Sequence, residues 1–222
     1  MGVQSINGKS FLSFLNNTKT FEMMKFMITI VIENSENQKL KSKLEEIINT
    51  EELDIDNILD TINNKKYYDK LIITLETLSQ RSKTMEKLYQ RLAKNPLNFK
   101  TKSKSVLENL QKVMLLSFFL DETLHQDLIT EKPKAIILDN YSVHHALLFT
   151  ELCDKLNIKL IYLPQYSPKY NTIEQVWRTI KAKISRKYIT SLEQLKDIFK
   201  TEFEKVVDNP SYWKNWVEKF LQ

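Results

Sequence analysis

Two short apolar runs, residues 135–138 (AIIL) and 159–163 (KLIYL), flank a single amphipathic stretch at residues 143–156. Unbroken apolar runs of this length predict strands buried on both faces, as in a parallel sheet. Between them Leu148, Phe149, Leu152, Cys153 and Leu156 recur at the three-and-four spacing of a helix. Strand, helix and strand in that order make a βαβ unit, in which the strands pair in parallel through a right-handed crossover. This part of the chain is therefore expected to be α/β, a short parallel sheet with flanking helices.

The N-terminal part reads differently. Apolar residues recur at helical spacing in residues 21–33, 38–48, 55–62, 67–78 and 83–93, separated by polar joints such as NTEELDIDN and INNKK. Residues 1–100 are expected to form an all-α region that carries no nameable chemistry. Pro96 and the basic run NPLNFKTKSK mark a boundary, and residues 101–222 follow as a second domain. Residues 105–129 read as one long helix, striped by Val106, Leu110, Val113, Ser117, Leu120, Leu124 and Leu128. A rival reading makes residues 114–120 a strand that ends at Asp121. Further on, Asn171 is expected to cap a helix with Ile173, Val176, Trp177, Ile180 and Ile184 on one face. Ser191 and Gln194 have the spacing of a capping box for the next helix. Pro210 suits the first turn of the last one.

Composition narrows the function. The only glycines are Gly2 and Gly8, which excludes a glycine-rich phosphate cradle and with it the usual nucleotide sites. No small-molecule substrate is indicated. Cys153 is the only cysteine, so neither an intramolecular disulfide nor a cysteine-cluster metal site can form; at its place in the apolar stripe it reads as a buried small hydrophobe. The longest apolar run, FMITIVI, is far short of the roughly 20 residues a membrane span needs, and no membrane association is expected. A net charge of +5 is compatible with nucleic acid without requiring it.

Asp139 directly follows the first apolar run, at the carboxyl end of the expected strand, where open α/β sheets gather their ligands. A carboxylate there suits a hard divalent cation; an ordinary Asp that starts the next helix is the alternative. Glu174 follows with 34 residues between the two. Asn171 and Glu174 have N-cap and N3 spacing, and Glu174 and Arg178 are an i,i+4 pair, so helix chemistry alone also accounts for Glu174. Arg178, Lys181, Lys183, Arg186 and Lys187 form a basic run with no acid among them. Such a run suits a DNA phosphate backbone, or simply a solvated helix face.

The strings DNYSVHH and LPQYSPKYNTIEQVW, taken together, resemble the catalytic half of mariner-type DDE transposases of the insertion-sequence kind. Gln165 and Thr172 stand where that family usually has proline. The resemblance runs from about Ser117 to Gln222. It implies a partial RNase H-like core and a family chemistry of metal-dependent DNA cleavage and strand transfer with Mg²⁺ or Mn²⁺. It makes Asp139 and Glu174 catalytic acids and metal ligands. His144 matches a histidine of the family and, with Asn140, is expected to support the site from behind the ligands. The resemblance also implies DNA as partner, a homodimer as candidate assembly, and a prokaryotic cytoplasmic, nucleoid-associated location. The family uses three acids, the first at the end of a strand with no counterpart in this sequence. Asp121, separated from Asp139 by 17 residues, is the nearest candidate. The chain is therefore expected to be a truncated or rearranged transposase derivative, inactive alone. The alternative is a non-catalytic helical DNA-binding or interaction protein built on a transposase remnant.

Overall fold

The computed structural model describes residues 1–5, 8–165, 170–212 and 214. The chain falls into two compact units, each drawn from separated segments: Met1–Thr18, Ile136–His144 and Leu160–Gln222 in the first, Lys19–Ala135 and His145–Lys159 in the second.

The second unit is a helical assembly. It holds α1 (Thr20–Asn34), α2 (Gln38–Asn49), α3 (Ile58–Ile62), α4 (Lys65–Ser79), α5 (Lys83–Lys94), α6 (Lys104–Ser117), α7 (Glu122–Thr130) and α8 (Leu147–Lys155). The start signals are side-chain caps: Asn37 accepts from Leu40 N–H at 3.1 Å, Asn64 from Lys66 N–H, and Ser82 from Met85 N–H. Caps of this kind are each worth about 1 kcal/mol. α1 buries Met23, Met24, Met27, Ile28 and Val31, and α2, α6 and α8 all pack on it. α4 packs on α5 and α6 through Leu71, Leu75 and Leu78. Cys153 of α8 is buried, and desolvation of the thiolate pushes its thiol up to about 12.

The long helix expected over residues 105–129 is broken. α6 ends at Ser117, a 3₁₀ turn covers Phe118–Leu120, and Asp121 caps a new helix. Neither the continuous helix nor the strand at residues 114–120 is present. The cap decides it: Asp121 Oδ1 accepts from Leu124 N–H at 3.0 Å and from the Thr123 hydroxyl at 2.6 Å, local bonds that compete with continuing the helix.

β3 (Lys134–Leu138) and β4 (Ile158–Tyr162) form the expected two-stranded parallel sheet. Lys134 N–H donates to Asn157 at the start of the pair and Leu163 N–H to Leu138 at its end, so both carboxyl ends lie together. Burial differs from expectation. Ala135 and Ile161 are exposed, so the strands are not covered on both faces, as a sheet of two strands offers too few neighbours to enclose them. The intervening helix is also shorter than expected: Ser142–His145 is a 3₁₀ turn, and α8 begins at Leu147. Asn157 ends it in the left-handed conformation, φ 56°, which Asn tolerates better than most residues.

The first unit corrects the all-α expectation for the N-terminus. β1 (Gly2–Val3) and β2 (Phe11–Leu12) pair antiparallel, and Met1 and Ser13 exchange backbone hydrogen bonds beyond them. The same unit holds α9 (Ile173–Ile184) and α10 (Leu192–Val206), followed by a 3₁₀ turn at Pro210–Tyr212. Val176, Ile180, Phe203, Val206 and Val207 form its core, with Leu12, Trp177 and Phe199 packed against them. Trp177 stacks on Phe203, centroids 5.5 Å apart, an arrangement worth about 0.5–1.5 kcal/mol beyond its buried area. The backbone of Gly2 lies on this pair: a Cβ there would collide with Trp177 Cη2 and meet Phe203 Cε2 at 2.9 Å. Glycine is needed here for close approach. Most of the helix expected after Pro210, and residues 166–169 of the proline loop, lie outside the described residues.

Candidate functional site

Asp139 follows β3 without a gap, and three sets of bonds fix the loop that carries it. Asp139 Oδ1 accepts the N–H of Tyr141 at 3.1 Å, an Asx turn that reverses the chain as it leaves the strand. The Asn140 side-chain amide donates to the carbonyl of Leu163, tying the loop to the residue after β4. The 3₁₀ turn then brings His144 back under Asp139. Its Nδ1 lies 3.0 Å from Asp139 Oδ1 and 3.1 Å from the Asp139 carbonyl. Both neighbours are acceptors, so Nδ1 carries the hydrogen. The ring is 5 % exposed, lies edge-on to Tyr141 at 5.8 Å, and its backbone carbonyl accepts from the Tyr162 hydroxyl at 2.7 Å.

The carboxylate of Asp139 is therefore aimed. One oxygen is held from the protein side, while the side chain as a whole is 58 % exposed. A hard cation needs such a group: an ionised oxygen that is fixed in direction yet reachable from water. Asn140 acts through the backbone of Leu163 and His144 through Asp139 itself. Tyr162 was not singled out by sequence reasoning. Its only signal is an aromatic hydroxyl two residues before the strand-end loop.

Glu174 sits in the first turn of α9, in the same compact unit as Asp139, and is exposed. The expected capping box around it does not form. Thr172 is the N-cap, in helical conformation and with no side-chain cap bond, while Asn171 contributes its carbonyl to Glu174 N–H at 3.0 Å. The carboxylate of Glu174 thus has no capping duty, and its oxygen donors suit Mg²⁺ or Mn²⁺ as those of Asp139 do. Among the described residues no three His, Cys, Asp or Glu side chains come together as a metal site. Asp121, in the other unit, caps α7; its hydrogen bonds from Thr123 and then Leu124 hold its carboxyl below the usual range.

The basic run that starts in α9 and continues into the turn after it divides into two sets. Arg178, Lys181 and Arg186 are exposed and form no ion pair among the described residues. Lys183 and Lys187 reach Glu202 of α10, at 3.1 and 3.2 Å, and Lys205 joins them at 3.2 Å. Glu202, 6 % exposed, lies among Phe199, Phe203 and Val206 on the apolar stripe of α10. A lone acid inside an apolar stripe is the sequence signal that would have revealed this cluster. The Lys183 bond first, then those of Lys205 and Lys187, hold the Glu202 carboxyl down to about 2.

The first unit thus holds an aimed carboxylate at the end of β3 and a second, exposed acid in the first turn of a basic helix. The chain belongs to the DDE superfamily endonuclease family: the family profile matches residues 78–196, more than half of its length. The match begins at the end of α4, ahead of the boundary expected near residue 100 and of the start expected at Ser117, and spans both acids. No curated protein and no solved structure gave a match. Among the described residues no helix is long and apolar enough to cross a membrane.

Proposed function

We propose that this chain is a mariner-like transposase derivative of insertion-sequence type, built on a partial RNase H-like core, that binds DNA and holds one Mg²⁺ or Mn²⁺ ion through Asp139 and Glu174. The observation that carries the proposal is the fixed carboxylate of Asp139 at the end of β3, inside the segment that matches the family. When bound, the ion would supply Lewis-acid polarisation of a phosphodiester. The protein's own part is positional. Asn140, Tyr141 and His144 hold Asp139 in one orientation. Arg178, Lys181 and Arg186, which are exposed and form no ion pair among the described residues, present their charge to a phosphate backbone, with Lys183 and Lys187 beside them. DNA in the prokaryotic cytoplasm, at the nucleoid, is the partner we assign, with a homodimer as the assembly to test.

The family's first catalytic Asp has no equivalent in this reading. Asp121 is committed to starting α7, which supports leaving it outside the site. Two acids hold one ion, whereas two-metal phosphodiester chemistry needs two ions. The chain alone is accordingly expected to leave DNA uncut. The test is a nicking assay with Mg²⁺ or Mn²⁺ on DNA carrying the ends of its own element. No cleavage above background is expected. Metal-dependent nicking that is abolished by Asp139→Ala and by Asp121→Ala would overturn the reading of Asp121 and show a working enzyme.

A further inference from the structure

Lys183 of α9, Lys187 of the turn that follows it and Lys205 of α10 converge on one carboxylate, Glu202. The carboxylate is buried, its side chain 8 % exposed, whereas the three lysine side chains are 43 %, 42 % and 58 % exposed. The acid therefore sits beneath and the ammonium groups stand at the surface around it. Each ammonium carries three N–H donors, and one bond to Glu202 leaves the others for a ligand. The cluster keeps a net positive charge after Glu202 is counted. Glu202 stays ionised far below neutral pH, so the tether holds under all ordinary conditions. Long lysine side chains normally lose rotamer freedom when they bind; here the tether has already restricted them.

We propose that Glu202 organises Lys183, Lys187 and Lys205 into a fixed phosphate-binding clamp that takes the backbone of duplex DNA, with Lys205 of α10 as a contact outside the basic run of α9. The ligand follows from the chemistry. Three ammonium donors held around one point suit the oxygens of a phosphodiester. Glu202 and Lys205 also lie beyond residue 196, outside the family match. The inference rests on the reading of the chain as a DNA-binding protein and adds to it a defined site.

The test is binding of a labelled duplex by the full chain, measured as a function of salt. Three proteins are compared: wild type, Lys205→Gln, and Lys200→Gln, which removes the same charge from the same helix outside the cluster. Each phosphate contact contributes about 0.9 to the slope of log affinity against log salt. Lys205→Gln is expected to lower that slope by about 0.9 and to weaken binding roughly five- to tenfold near 0.1 M salt. Lys200→Gln should change the slope little, and Lys205→Arg should retain it. Equal losses in Lys205→Gln and Lys200→Gln would leave only net charge at work and overturn the clamp alone. Absence of salt-dependent binding by the wild type would overturn the DNA-binding reading together with it.

Discussion

Nδ1 of His144 lies 3.0 Å from Oδ1 of Asp139, five residues earlier in the chain. The contact closes the loop that leaves β3, and the ring that makes it is buried against Tyr141. A side chain spent in this way sets the direction of the carboxylate.

His144→Ala should therefore damage the loop and the site together. Removing a buried ring and its hydrogen bond is expected to cost about 1–3 kcal/mol. His144→Asn, which can place a side-chain N–H near the position of Nδ1, should recover part of that loss. Urea denaturation of the two variants checks the order. Equal stability in both would mean that packing alone, and not the bond to Asp139, matters.

Glu202 makes a pH-dependent contribution whose sign is defined. Its carboxyl is held down to about 2 in the folded chain against 4.5 for an unperturbed carboxyl. The folded state thus binds its proton less readily than the unfolded state does. The stabilisation is fully present above about 4.5 and is lost as pH falls from there toward about 2. Denaturation of wild type and Glu202→Gln across that range should show the largest gap near neutral pH and a shrinking gap below it. A gap independent of pH would show that the lysines do not act on Glu202 as described.

Gly2→Ala tests the packing of the N-terminal hairpin on the first unit. The new methyl would meet two stacked aromatic rings inside contact distance. Overpacking of this kind costs about 1–3 kcal/mol, and Trp177 should report it as a shifted fluorescence maximum. An unchanged spectrum and unchanged stability would mean that β1 does not rest on Trp177.

The helices were legible where the period was clean. α1, α2, α4 and α5 begin and end within about two residues of expectation, because their apolar stripes are unbroken and Asn or Ser stands at the start of three of them. The hairpin was not legible. Its strands are two residues each, too short for alternation to show, and the Asn7–Gly8 pair between them was its one signal. The break at Asp121 was hidden because the apolar stripe continues through it, while a local cap bond that leaves no trace in periodicity ends the helix. At the site, Asp139, Glu174 and His144 were singled out only through the resemblance that DNYSVHH and LPQYSPKYNTIEQVW carry, because position alone left ordinary helix-start readings open for both acids. What could not be read was which lysines are ion-paired, since that depends on Glu202 reaching across from another helix.

The central claim is that Asp139 and Glu174 share one divalent ion, and Mn²⁺ binding followed by electron paramagnetic resonance tests it most directly. The wild-type chain should bind one Mn²⁺ ion, and Asp139→Asn and Glu174→Gln should each weaken that binding tenfold or more, while Asp121→Asn leaves it unchanged. Binding that survives either of the first two substitutions, or that falls with Asp121→Asn, would contradict the account.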